Sequence, residues 1–369
     1  MIYPLLPVFL STVLGANASF IGAVEGAAQS VAALLKLASG WWSDKIQKRK
    51  PLIVTGYVIA AAARPFIALA QSATVVLGVR LVDRVGKGIR TAPRDALLAD
   101  SVEPGSRGRA FGFHASMDKA GAVVGPLVEY ALLTYFDVSM RNVFWLAAVP
   151  GAMAVVVLIV AVKEVERHRP EAMPEAMPDL TAPHRLGRPF WMYLLVVSIF
   201  TLGNSTDAFL LLRANELGVA VALAPILWAV LNLVKAIFGT WGGALSDRIG
   251  RKPLIIAGWL LYSGVYFGFA RATAQWHAWA LVATYGMFYA LTEGTEKALV
   301  ADFVPAERRG AAFGWFNLAI GLGALPASLV FGAIWDRAGS PFAFSFGALM
   351  ALIAATGLLF VGPRYGIAR

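Results

Sequence analysis

Ionisable residues recur inside stretches that are otherwise apolar. The densest group is Arg80, Asp83, Arg84, Lys87, Arg90, Arg94 and Asp95. At about 100° per residue, Arg80, Asp83, Arg84, Lys87 and Arg94 share one helix face. Glu25 and Lys36 form a second group, and His114 and Asp118 a third. Asp207 follows a polar break, Asn204-Ser205-Thr206. Asn232 and Lys235, then Glu293, Glu296 and Lys297, complete the set. Charges at membrane depth are costly and normally face a protein interior or a wet cavity. Carboxylates placed there can take up and release protons; cations can meet an anionic solute. Plainer readings stand beside these. Asp207 and Glu293 can be held permanently by Lys235 or an arginine. Lys36, Lys119 and Lys235 can simply pair or snorkel. Arg90, Arg94 and Asp95 can be structural ion pairs at a wet helix end.

The elements that must position these groups are long apolar helices. The 369 residues are 58% hydrophobic and 15% charged, with mean hydropathy +0.66. Soluble domains are nearer 25% charged. Apolar runs of about 20 residues span a bilayer as helix. Such runs occur at 1–14, 20–42, 51–71, 74–99, 109–134, 142–162, 189–213, 221–242, 253–271, 277–300, 309–334 and 341–360. Alternate links are basic, carrying Lys45, Lys48, Arg49 and Lys50, then Arg107, then Arg248, Arg251 and Lys252, then Arg308 and Arg309. The opposite links, such as Gly15-Ala16-Asn17-Ala18, are nearly uncharged. Positive residues mark the cytoplasmic side, so both termini and the central link 163–188 are expected there. The central link repeats Pro-Glu-Ala-Met at 170–173 and 174–177 and reads as a flexible tether. The net charge of +10 follows these links and does not indicate nucleic acid.

An internal repeat sets the architecture. Gly40-Trp41-Trp42-Ser43-Asp44-Lys45 matches Gly243-Ala244-Leu245-Ser246-Asp247-Arg248. Residues 95–100 match 297–302, and Gly108-Arg109-Ala110-Phe111-Gly112 matches Gly310-Ala311-Ala312-Phe313-Gly314. The offsets are 203, 202 and 202, which implies two parallel six-helix halves, 1–162 and 189–360, with a tail at 361–369. Under this offset Met1 aligns with Asn204, so the first span is expected to lack its cytoplasmic half. A start codon placed too far downstream explains this better than a fragment. The offset also sets Arg94-Asp95 against Glu296-Lys297, an inverted charge pair suited to salt bridges between the halves.

The Gly-x-x-Ser-Asp-Lys/Arg block, repeated at equivalent links with basic residues behind it, resembles the loop motif of the major facilitator superfamily. The resemblance covers nearly the whole chain. It implies an all-α polytopic fold of two pseudo-symmetric six-helix bundles, the first helix incomplete. It further implies that Gly40, Ser43, Asp44, Lys45 and Arg49, with Gly243, Ser246, Asp247, Arg248 and Arg251, form gating loops. In that fold four helices line a cavity, making Asp207 and Glu293 the leading carboxylates for proton exchange. Arg80 resembles an arginine the family links to proton coupling, with Asp83-Arg84 where Gln-Gly is common. Gly112, Gly121, Gly125 and Pro126 resemble the family's antiporter motif, with Glu129-Tyr130 in place of its closing Gly-Gly. Small residues there would permit close helix packing, and Pro126 a bend.

No P-loop, metalloprotease or Ser/His pattern is present, and without cysteine there are no disulfides or thiolate metal sites. The expectation is a non-enzymatic, monomeric inner-membrane carrier without cofactor or metal. It would exchange a small organic solute against protons, with export favoured by the antiporter-like motif. The basic face around Arg80 suits an anionic or zwitterionic solute; the carboxylates at 207 and 293 equally suit a cationic drug. A sensor or scaffold retaining the fold is the alternative, and a membrane-embedded enzyme ranks third.

Overall fold

The computed structural model describes Leu6, Leu10 and Leu14 and residues 18–46, 48–165, 186–205, 207–220 and 223–362. The expected first span, most of the central tether and the C-terminal tail lie outside these. Among the described residues the chain is helical. In order the helices are α1 Ala18–Ile46, α2 Lys50–Ala63 (continued by a tight turn, Arg64–Ile67), α3 Ala73–Asp100, α4 Arg107–Thr134, α5 Met140–Leu146 and α6 Ala148–Ala161. The later ones are α7 Arg188–Gly203, α8 Ala208–Glu216, α9 Ala224–Ile249, α10 Arg251–Arg271, α11 Gln275–Phe303, α12 Arg309–Ala338 and α13 Ser340–Leu359.

Among the described residues six segments are long and apolar enough to cross a bilayer: Lys50–Ile67, Met140–Ala161, Ile226–Ile249, Arg251–Arg271, Ala306–Ala338 and Ser340–Leu359. The long helices outside that set, α1, α3, α4 and α11, have 28 or 29 residues and carry most of the ionisable groups described above. Leu195, Leu329 and Phe342 are more than 60% exposed, which suits a hydrocarbon surround and not water.

The chain forms two compact units. Unit 1 comprises Met1–Ser101, Val124–Pro183 and Ala306–Leu318; unit 2 comprises Val102–Val123, His184–Pro305 and Ala319–Arg369. In unit 1, α3 packs on α1 and α2, and α2 on α6. The crossings are close because they meet at small residues. A Cβ on Gly56 would stand 2.5 Å from the Gly86 carbonyl, and one on Gly88 2.5 Å from Leu35. In unit 2, α11 packs on α9 and α10, and α13 on α7 and α10. Aromatic rings fill its interior. Phe200 stacks on Trp259 at 4.8 Å, and Tyr262 on Tyr266 at 4.1 Å.

Two expectations need correction. The span 189–213 is not one helix: it ends at Gly203 and resumes at Ala208, since Asn204 leaves the helical region with φ −93° and ψ 79°. The Ser-Asp pairs expected in loops are helical, occupying the last turns of α1 and α9. Ser43 and Ser246 are fully buried and bond back to the carbonyls of Gly40 and Gly243, which lets a polar turn remain helix.

Candidate functional site

In unit 2 the break between α7 and α8 exposes polar backbone, and irregular backbone at such depth is tolerated only inside protein or beside a wet cavity. Tyr262 donates to the Gly203 carbonyl at 2.9 Å. Asp207, just past the break, accepts the hydroxyls of Tyr285 at 2.9 Å and Tyr289 at 3.3 Å. Lys235 from α9 stands 3.6 Å from the other carboxylate oxygen and 3.5 Å above the ring centre of Tyr289. Its side chain is 6% exposed. One turn beyond Tyr289 on α11, Glu293 lies 3.7 Å from Lys119 of α4, which also approaches Asp118 at 3.9 Å. Each carboxylate that the sequence marked for proton exchange therefore has an ammonium beside it. Two carboxylates, two amines and two phenols thus form two neighbouring polar groups within unit 2.

In unit 1, Asp83 receives Arg64 at 2.8 Å and lies 3.6 Å from Arg80, one turn earlier on α3. Arg80, Asp83 and Arg84 are all buried. The Arg90 guanidinium lies 3.8 Å over the ring of Tyr57 from α2. Arg94 bonds to its neighbour Asp95 at 2.9 and 3.1 Å. Asp95 is fully buried, with Arg94 as its ion-pair partner. On α11, Glu296 accepts the indole N–H of Trp259 at 2.9 Å, and Lys297 is half-buried.

The repeated motif builds the same device in each unit. In unit 1, Asp44 accepts the backbone N–H groups of Gly310 at 3.0 Å and Ala311 at 2.7 Å, in the first turn of α12. In unit 2, Asp247 accepts those of Gly108 at 2.9 Å and Arg109 at 2.8 Å, in the first turn of α4. First-turn N–H groups have no helical partner, and the helix dipole favours an anion there. Glycine at 108 and 310 permits the approach: a Cβ at 310 would meet the Ser43 hydroxyl at 2.5 Å, and one at 108 the Asp247 carboxylate at 2.9 Å. Gly40 and Gly243 face the carbonyls of Gly310 and Gly108 in the same way.

Behind each carboxylate stands a buried arginine. Arg49 contacts Asp44 at 3.3 Å, Asp100, and the Ala306 carbonyl at 3.0 Å, while Arg309 also holds Asp100. Arg251 contacts Asp247 at 2.8 Å, Asp302, and the Pro104 carbonyl, while Arg107 holds Asp302 at 2.8 Å. Arg49, Asp100 and Arg107 become Arg251, Asp302 and Arg309 on adding 202, so the two networks are repeats of one another. Each latch joins segments from both sequence halves inside a single unit. Lys45 lies 5.5 Å over the Trp41 ring, and Arg248 is exposed.

The remaining predicted residues are less engaged. Glu25 falls on α1, but its side chain lies outside what is described, as does that of Pro126. His114 is half-buried, and the Asp118 side chain is 72% exposed. Gly112 packs where a Cβ would stand 3.1 Å from Gly243. Gly121 serves no close helix packing among the described residues: a Cβ there would meet none of them within 4 Å. Gly125 is half-buried on α4. The sequence reading missed Arg64, Tyr285 and Tyr289 as site residues. It also missed Asp100, Arg107, Asp302 and Arg309 as latch residues, although the repeat offset already relates them.

A profile described as Major Facilitator Superfamily matches residues 1–327 and 208–367. A protein of Methanocaldococcus jannaschii described as an uncharacterized MFS-type transporter is 33% identical, covering 98% of this chain and 90% of its own. Multidrug resistance protein MdtH of Photorhabdus laumondii is 25% identical, covering 88% and 79%. The Escherichia coli fucose:proton symporter structure superposes with a TM-score of 0.77 at 15% identity, over 94% of this chain and 92% of that one. The proton:xylose symporter structure gives 0.73 at 14% identity, over 97% and 90%. Long apolar helices, a sequence repeat in register and the doubled latch agree with these matches: the chain belongs to the major facilitator superfamily and is a multi-pass membrane transporter.

Proposed function

We propose that the protein is a secondary active carrier that exports a small organic solute in exchange for protons, acting as a monomer in the cell inner membrane with both termini cytoplasmic. The observation that carries this reading is the pairing of Asp207 with Lys235 at the α7–α8 break, continued by Glu293 with Lys119. A proton arriving on Asp207 cancels its charge and weakens its hold on Lys235, and the Tyr285 and Tyr289 hydroxyls offer a path for its departure. Solute and proton then bias one equilibrium in opposite directions, which is the requirement for exchange. The latches at Asp44 and Asp247 hold one state and release in the other. Export is supported by the antiporter-like run on α4 and by the similarity to the multidrug resistance protein MdtH.

The test is solute movement in everted vesicles under an imposed pH gradient, with a panel of fluorescent dyes. Gradient-dependent accumulation lost in Asp207→Asn supports exchange. Accumulation that ignores the gradient rejects proton coupling, and an absence of flux for every dye rejects a polyspecific exporter.

A further inference from the structure

The basic link between α1 and α2 carries lysines that neither the latch nor the exchange reading uses. We propose that a cavity at the basic end of α2 and α6 binds an anionic phospholipid. Lys48 and Lys50 would hold its phosphate, and its acyl chains would lie along the exposed apolar faces of the two helices. The inference concerns unit 1 alone and does not depend on proton exchange.

The cavity measures about 580 Å³ and is lined by Lys48, Lys50, Pro51, Val54, Thr55 and Glu164. Ligand cavities generally span about 300–1,000 Å³. It lies where the chain enters the apolar segment Lys50–Ile67, which places it at the boundary between bilayer and water. Lys48 is exposed and makes no hydrogen bond or ion pair with any described residue. Lys50 gives one N–H to the Ile159 carbonyl, in the last turn of α6, at 2.8 Å. An ammonium has three donors, so two remain. Glu164 is the only acid on the wall, and both its oxygens are engaged. They accept the backbone N–H groups of Arg49 at 3.0 Å and Lys50 at 2.8 Å, at the positive end of α2. Lys163, exposed beside Glu164 in the chain, adds a third cation.

The rest of the surface is apolar. Val54 lines the cavity, and Val58 one turn on is 43% exposed; on α6, Val156 is 59% and Val160 77% exposed. Lysines clustered at helix ends, with exposed apolar stripes running on from them, match a lipid with an acidic head. A soluble phosphate would leave those stripes unused.

The internal repeat separates structural need from this role. Adding 202 takes Lys50 to Lys252, Lys48 to Gly250 and Thr55 to Ala257. Lys252 keeps the helix-end contact, donating to the Gly362 carbonyl at 2.9 Å beyond α13. A lysine tying two helix ends together is therefore common to both units. Lys48 and Thr55 line the cavity and have no counterpart in unit 2.

The test is native mass spectrometry of the purified chain in detergent, titrated with phosphatidylglycerol, phosphatidylethanolamine or phosphatidylcholine of identical acyl chains. One saturable phosphatidylglycerol adduct, preferred over the other two lipids, is expected. Lys48→Gln should weaken it about fivefold with Tm unchanged, and Lys48→Arg should retain it. Arg248→Gln, which removes an exposed cation from the matching link of unit 2, should leave it unaltered. Equal losses in Lys48→Gln and Arg248→Gln would reduce the effect to diffuse attraction and overturn the site. Equal binding of all three lipids, or full displacement by glycerol 3-phosphate, would overturn it too. Dye exchange in a chain with no preference for phosphatidylglycerol would sink this inference and leave the carrier reading standing.

Discussion

Asp207 and Lys235, the first just past a helix break and the second on α9, stand 3.6 Å apart, with the ammonium also 3.5 Å over Tyr289. The sequence allowed this carboxylate to be a proton acceptor or a permanent partner of Lys235. The geometry shows that the partnership exists; exchange requires that it also break. Removing one member of a buried pair strands the other, at about 3 kcal/mol or more. Lys235→Met should therefore lower the thermal midpoint sharply, and Lys235→Met/Asp207→Asn should recover most of the loss. The double variant should still lack gradient-driven flux, because it is stable yet has lost the protonatable carboxylate at position 207. Additive losses in the two single variants would mean that the pair does not interact.

The twin latches make a spatially selective prediction. Asp44→Asn weakens a carboxylate that holds two N–H groups of α12, a change of about 1 kcal/mol. Amide hydrogen exchange at residues 310–313 should quicken while 108–111 stay protected. Asp247→Asn should do the opposite. Equal responses in both segments would show that the latches do not act separately.

Arg107 and Asp302 should be coupled energetically. They meet at 2.8 Å, and both are nearly buried. Arg107→Gln and Asp302→Asn are each expected to cost about 1.5–3 kcal/mol. In the double variant the total should fall short of the sum by at least 1 kcal/mol, measured by denaturation in detergent. The repeat makes Arg309 and Asp100 the matching pair, and the same shortfall is expected there.

Much of this was readable from residues alone, for a definable reason. Most spans followed from apolar runs, and the relation between the two networks from an offset preserved through three blocks. What was not readable is partner choice. Periodicity places Asp83 on a face of α3, but only tertiary packing brings Arg64 onto it from the end of α2. Nothing in the sequence singles out Tyr285 and Tyr289; the helix break at Asn204 brings Asp207 within reach of their hydroxyls. The Ser43-Asp44 and Ser246-Asp247 pairs read as loop because the block that holds them resembles the family's loop motif. Burial and bonds to the preceding turn keep them helical.

Sidedness is directly accessible because the chain has no cysteine. Lys48→Cys and Arg248→Cys, both in the basic links and both exposed, should react with an impermeant maleimide in everted vesicles and resist it in intact cells. Labelling of the two from opposite faces would break the parallel repeat.

Gradient-driven flux with Asp207→Asn is the most direct test of the central claim, that this carboxylate couples solute movement to protons. At normal membrane abundance, the variant is predicted to retain dye exchange down a concentration gradient but to lose accumulation driven by a pH gradient. Full accumulation in the variant would contradict the account.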